Sequence, residues 1–166
     1  MEARGRPWKL KVEARVMNVR KFRTEDADAL MAIVAESPEA ATWPRASYVT
    51  FAQEDGALAL VSDRGNEISG FLIGRRAADQ AEVLNLAVRA THRRRGEGGA
   101  LLAAALAEFG RRAAKNVYLE VRESNTGAIA FYEKHGFART GCRNGYYRNP
   151  DEAAITMGKK LTGPTG

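Results

Sequence analysis

The chain is short of the residues that support metal, disulfide or membrane chemistry. It has one cysteine, Cys142, and two histidines, His92 and His135, set far apart. A lone cysteine rules out an internal disulfide framework and a cysteine zinc site. Two distant histidines carry no zinc signature, so no metal is expected. No apolar run approaches the roughly 20 residues a helix needs to cross a bilayer, so no membrane partner is expected. Charges occur throughout the first twenty residues, which argues against a secretory leader. These absences together predict a reducing, cytoplasmic setting. Internal repeats and low-complexity tracts are also missing. Acidic residues are outnumbered, with 20 Asp and Glu against 26 Lys and Arg, a net charge of +6. That balance suits anionic ligands, nucleic acid or acidic partners, and selects none of them.

What is present fits one folded unit. The 166 residues are 45% hydrophobic, enough for a single core. Residues 12–162 are expected to form one domain, with residues 1–11 and 163–166 as tails. Residues 12–23 read as a first strand. Thr24 is expected to cap a helix with Leu30, Ile33 and Val34 on its apolar face, ending near Ser37-Pro38. A loop around Trp43 leads to a short helix from Tyr48 to Glu54; an anchored surface aromatic is the commoner reading of that tryptophan. Ala57-Leu58-Ala59-Leu60-Val61, Asp63-Arg64-Gly65-Asn66 and the run from Ile68 make a hairpin. A third strand, 82–88, places Val83, Asn85 and Ala87 against Leu84, Leu86 and Val88. Helix 98–114, strand 117–122, helix 125–134, a strand from Phe137 to the Cys142 region and a strand 151–160 complete the chain. If strands 82–88 and 117–122 share a sheet, they make a right-handed parallel crossover. The fold class is therefore mixed α+β: a mostly antiparallel sheet with flanking helices.

The most informative stretch is Arg93-Arg94-Arg95-Gly96-Glu97-Gly98-Gly99, between a strand and a helix. The first turn of a helix has unpartnered N–H groups and a dipole that favours anions. Glycine lets the main chain approach such an anion. By itself this is either a solvated loop or a pyrophosphate cradle. It is not a Walker loop, and it is too short for the Rossmann fingerprint.

Other residues decide between these readings. Arg93-x-x-Gly96-x-Gly98 resembles the acetyl-CoA-binding motif of the GCN5-related N-acetyltransferases. Leu119-Glu120-Val121-Arg122-x-Ser124-Asn125 and Ala128-Ile129-Ala130-x-Tyr132-Glu133-Lys134-x-Gly136-Phe137 resemble the second half of that family, in order and spacing. Asn144-Gly145-Tyr146-Tyr147 and Asp151-Glu152-Ala153-Ala154-Ile155-x-Met157 are similar to its branch that acetylates the N-terminal alanine of a small-subunit ribosomal protein. Three features depart from the pattern: Glu97 stands where an apolar residue is usual, residues 44–56 lack the usual Pro-Trp-Ser, and the segment before Val12 is extra.

The resemblance implies roles. Arg94, Arg95, Gly96, Glu97, Gly98 and Gly99 would hold the pyrophosphate of acetyl-CoA, mainly through main-chain N–H groups. Two parallel strands would splay apart, leaving Leu86, Ala87 and Val88 to pair with the pantetheine arm. An N–H of Leu86 or Ala87 would polarise the acetyl carbonyl. Glu120 would take a proton from the acceptor ammonium, and Tyr132 would return one to the leaving thiolate. On the residues alone, Glu120 reads more often as solvent-facing or paired with Arg122, and Tyr132 as a core aromatic. Asn125 is by default a helix cap, with a second use on the cofactor arm. Tyr146 and Tyr147 would line a slot for a peptide N-terminus, or form an edge-strand pair. The acceptor implied is a protein or peptide N-terminus, a ribosomal protein by resemblance, with a small-molecule amine or lysine as the alternative. A basic RNA-binding module is the reading from another class. The chain lacks the stacked aromatics of an RNA platform, so no stable nucleic-acid binding is expected. His92, His135 and a half-buried Cys142 read as structural.

Overall fold

A computed structural model describes residues 16–162. The segment before Val16, with the expected tail and the start of the first strand, lies outside the described residues. Seven strands form one sheet in the order β1-β2-β3-β4-β5-β7-β6. They are β1 (Asn18–Lys21), β2 (Ala57–Asp63), β3 (Ile68–Ala77), β4 (Gln80–Val88), β5 (Asn116–Arg122), β6 (Ala138–Tyr147) and β7 (Glu152–Lys160). All neighbours are antiparallel except β4 and β5, the parallel pair at the centre.

Four α-helices cover the sheet: α1 (Ala27–Ala35), α2 (Arg45–Phe51), α3 (Glu97–Arg111) and α4 (Thr126–Lys134). The stripe Leu101, Leu102, Ala105 and Phe109 seats α3 on one face, with Ile129 and Tyr132 of α4, Val117, Leu119 and Val121 of β5, and Met157. Gly74 permits this close approach, since a Cβ there would lie 2.7 Å from Phe109 Cζ. On the other face, Leu30, Ile33, Tyr48 and Phe51 of α1 and α2 pack on Ala59, Val61, Phe71 and Ile73. Trp43 is anchored as expected, stacked on Tyr48 at 5.2 Å.

Several local expectations need correction. Thr24 does not cap α1; it opens a short 3-10 turn (Thr24–Asp26). Asp26 serves the chain there, because its carboxylate accepts the Arg23 N–H at 2.7 Å and is clamped by Arg20 at 2.8 and 3.0 Å. The second helix starts three residues earlier than expected, at Arg45, because Pro44 fits the position just ahead of a first turn. The simple alternation of the third strand also fails. Asn85 pairs with Ile73 but Val83 with Gly74, so Leu84 is an extra residue in β4. This bulge flips the alternation. Val83 and Leu86 therefore face α3, while Leu84 and Ala87 face α1 and α2.

Candidate active site

The central parallel pair closes only at its start. Gln80, Ala81 and Glu82 pair with Asn116, Val117 and Tyr118, and beyond that β4 and β5 separate. The bulge at Leu84 begins where the pairing stops, and bending of this kind is what a bulge supplies. The stretch from Val83 to Val88 thus keeps β3 on one edge and opens its other edge to a wedge. Arg89 N–H bonds Ser69 O at 2.7 Å, which makes Val88 and Gly70 a non-hydrogen-bonded pair in the antiparallel ladder. By the same alternation, Leu86 and Val88 turn their N–H and C=O groups into the wedge, and Ala87 turns its own to β3. Of the expected trio, Ala87 is corrected: its main chain is engaged in the sheet. The Val88 carbonyl accepts from Arg93 Nε at 3.0 Å. The wedge is left with both Leu86 groups and the Val88 N–H.

The glycine loop sits at the mouth of this wedge. Arg94 at φ +61° and Gly96 at φ +83° are left-handed, the conformation from which main-chain anion nests are built. Helix α3 follows with no side-chain cap on its first turn. Arg94, Arg95 and Gly96 are exposed, and Gly98 and Gly99 half-buried. Neighbouring side chains brace the loop. Arg93 Nη2 donates to Glu36 O at 2.8 Å and Ser37 Oγ at 3.1 Å, and the Ala90 N–H donates to Glu36 Oε2 at 3.2 Å. His92 lies 3.3 Å from Glu67, and His135 sits at the C-terminal end of α4 with Nδ1 2.8 Å from Phe131 O. Both histidines have structural partners.

Glu97 is the exception within the loop. Its side chain is 1% exposed and points into the protein. Only its main chain remains for an anion; its carboxylate binds Arg64 and Ser62.

The two residues expected to move protons approach from opposite faces of the sheet. Leu119 and Val121 face α3 and α4, so Glu120 faces the other way. Its Oε1 accepts from Arg143 Nη1 at 2.8 Å, while Oε2 is buried with no hydrogen-bond partner among the described residues. The expected alternative partner, Arg122, pairs instead with Glu152 at 3.3 Å. Glu82, the last paired residue of β4, shares the face of Glu120. Burial pushes its carboxyl up, and the Glu120 charge adds to that against Arg75. Tyr132 lies on α4, 8% exposed, its ring packed on Phe131 and Phe137. Burial pushes its phenol well above the usual tyrosine range. Asn125 caps α4, its Oδ1 accepting the Ala128 N–H at 3.0 Å.

Tyr146 and Tyr147 belong to β6, the edge strand, which runs past the expected end at Cys142. Arg143 lies 4.2 Å over the Tyr146 ring and Arg122 4.3 Å over Tyr147. Burial raises the Tyr147 phenol first, and the Glu120 charge raises it further. Cys142, expected half-buried, is exposed because β6 has one neighbour and an open face. Two open concavities, one beside α2 at Trp43 and Thr50, the other between α3 and β7 at Leu106 and Lys160, lie away from the wedge.

Residues 27–137 match the model of the Acetyltransferase (GNAT) family. The chain belongs to that family. The GNAT chain is 37% identical over 115 residues to the [Ribosomal protein bS18]-alanine N-acetyltransferase of Escherichia coli (strain K12), covering 67% of this chain and 78% of that protein. The crystal structure of the ribosomal-protein-S18-alanine N-acetyltransferase from Escherichia coli superposes with a TM-score of 0.77 at 29% identity, over 91% of this chain and 99% of that one. Chaetomium thermophilum Naa20, solved in complex with a bisubstrate analogue, gives a TM-score of 0.79 at 25% identity, over 87% and 86% of the two chains. The protein is an N-acetyltransferase with the GNAT fold. Among the described residues no cluster of His, Cys, Asp and Glu could hold a metal, and no helix is long and apolar enough to cross a membrane.

In this GNAT chain, Arg143, Glu82 and Arg64 had no signal in the sequence as site residues. Arg143 reaches Glu120 across the whole width of β7, a relation that only the strand order creates.

Proposed function

We propose that the protein transfers acetyl from acetyl-CoA to the N-terminal α-amine of a protein, with an N-terminal alanine as the first acceptor to test. The observation that carries this reading is the wedge. At its mouth lies the glycine loop with left-handed Arg94 and Gly96, and Glu120 Oε2 is a buried carboxylate oxygen with no hydrogen-bond partner among the described residues. The residues fit the cofactor. Arg94 to Gly99 supply main-chain N–H groups and exposed guanidinium groups for a pyrophosphate, and the Leu86 and Val88 edge is shaped for an extended arm. Bound acetyl-CoA would supply an activated acyl thioester.

The chain's own residues then divide the work. The Leu86 N–H, turned into the wedge, would polarise a thioester carbonyl. Glu120 would accept a proton from an ammonium arriving over β5, leaving a neutral amine. Tyr132, on the other face, holds a proton for a departing thiolate. Tyr146 and Tyr147 flank the approach of a peptide. The resemblance to bS18-alanine N-acetyltransferases at 37% identity supports a protein N-terminus as acceptor and a cytoplasmic site of action.

The test is release of free thiol from acetyl-CoA with a panel of peptides differing in their first residue, read by mass spectrometry of the peptides. A product acetylated on the α-amine of alanine-initiated peptides is the expected result. Acetylation of lysine side chains or small amines alone would overturn the acceptor assignment and keep the chemistry.

Arg143 already occupies one oxygen of Glu120, so an incoming ammonium competes with it for the same carboxylate. The guanidinium is exposed and the pair is solvent-screened. Arg143→Ala is therefore expected to lower the KM for peptide by roughly two- to fivefold, the scale of an exposed ion pair, without moving Tm. A rise in KM would mean that the guanidinium orients Glu120 or contacts the peptide.

A further inference from the structure

The loop's departure from the family pattern, Glu97, has a partner in the structure. Glu97 is the first residue of α3 and is buried at 1% exposure. Its Oε1 accepts from Arg64 Nε at 2.6 Å and also meets Arg64 Nη2. Its Oε2 accepts from Ser62 Oγ at 3.2 Å, and Ser62 lies 3.1 Å from Ser69. Arg64 comes from the turn between β2 and β3, with its side chain 15% exposed. A buried carboxylate thus sits in the helical turn whose N–H groups and dipole attract anions. A helix N-terminus is equivalent to about half a positive charge. A carboxylate in that turn uses this field itself and repels a second anion, strongly so where water does not screen it.

We propose that Arg64 is a positioning residue for the cofactor: by neutralising Glu97 it keeps the start of α3 available to the pyrophosphate of acetyl-CoA, and it ties the loop to the β2–β3 hairpin. This rests on the acetyl-CoA reading of the loop. The pair replaces the apolar contact usual under such a loop with a charge-balanced polar one. Removing one partner is therefore worse than removing both.

The experiment compares wild type, Arg64→Met, Glu97→Gln and the double variant by calorimetric titration with acetyl-CoA. Thermal melts are run alongside, as is kcat/KM with S-acetylpantetheine, a thioester without pyrophosphate. Arg64→Met is expected to weaken acetyl-CoA binding by roughly tenfold or more, because an unpaired buried charge then lies in the turn that would hold the anion. The double variant is expected to bind as wild type does, and Glu97→Gln to bind no worse. Arg64→Met is expected to lose more kcat/KM with acetyl-CoA than with S-acetylpantetheine, which has no pyrophosphate to repel. A purely structural pair would instead impair both thioesters together, which overturns the proposal. So does unchanged acetyl-CoA affinity in Arg64→Met, or a double variant as weak as the single one. Should Arg64→Met not fold, the double variant decides alone: full affinity supports the proposal, and lost affinity shows that the Arg64 charge was needed for itself. A wild type that gives no heat with acetyl-CoA overturns the cofactor reading, a result distinct from any difference among variants.

Discussion

Glu120→Gln is expected to lower kcat by roughly 10²- to 10⁴-fold, the range a positioned proton acceptor contributes, without changing acetyl-CoA affinity. The substitution is nearly isosteric. Its remaining carbonyl oxygen can still accept from Arg143, which now holds Oε1 at 2.8 Å. What is lost is the capacity to receive a proton. Stability should hold or rise, for a specific reason. Glu120 Oε2 is buried with no hydrogen-bond partner among the described residues, and an unpaired carboxylate oxygen out of water is costly. A neutral amide in the same place costs less. The combination of a lower kcat with an unchanged or higher Tm separates loss of chemistry from loss of fold. It is read from steady-state kinetics with an alanine-initiated peptide and a thermal melt. Wild-type turnover in this variant would remove Glu120 from the reaction and leave water or Glu82 as the proton acceptor.

Much of this arrangement was legible from local pattern. The alternation Val117, Leu119, Val121 against Tyr118, Glu120, Arg122 depends only on the period of a strand, so the face of Glu120 followed from sequence. The stripe Leu101, Leu102, Ala105, Phe109 likewise depends on the period of a helix, and Asn125 on the chemistry of a first turn. The features missed are those set by distant partners. The bulge at Leu84 arises from the register of β4 against β3, and no residue in β4 announces it. It decided that Leu86 and Val88, and not Ala87, face the wedge. The partners of Glu120 and Glu97 lie 23 and 33 residues away along the chain, so no local period could supply them. Glu97 was visible as an oddity, but its answer lay on another hairpin. Cys142 was misjudged because an edge strand and an inner strand read alike until the strand order is known. Thr24 was misjudged because the turn before α1 is set by Arg20, which reaches from β1 to clamp the Asp26 carboxylate.

Tyr132→Phe should reduce kcat by about 10²-fold or more, as expected when a group that returns a proton to a leaving thiolate is removed. Cofactor affinity should be unchanged. The ring contacts survive the change, with Phe131 at 5.1 Å and Phe137 at 5.6 Å between centroids. Among the described residues nothing is hydrogen-bonded to the Tyr132 hydroxyl, so its loss leaves no orphaned partner, and Tm at neutral pH should not fall. The pH dependence gives an independent reading. Burial raises the phenol above the ordinary tyrosine value of about 10, so the native state keeps the proton after the unfolded chain has lost it. Wherever the native state binds more protons than the unfolded state, stability falls as pH rises. Wild type should therefore lose stability progressively above about pH 10, and Tyr132→Phe should lose less over the same interval. Melting curves of both proteins at pH 8 and pH 11 measure the difference. The same shift keeps Tyr132 protonated throughout the range of an ordinary assay, so kcat should show no alkaline decline arising from it below about pH 10. Full activity in Tyr132→Phe, with the expected difference in alkaline melting, would leave Tyr132 a buried core phenol and assign the thiolate's proton to solvent.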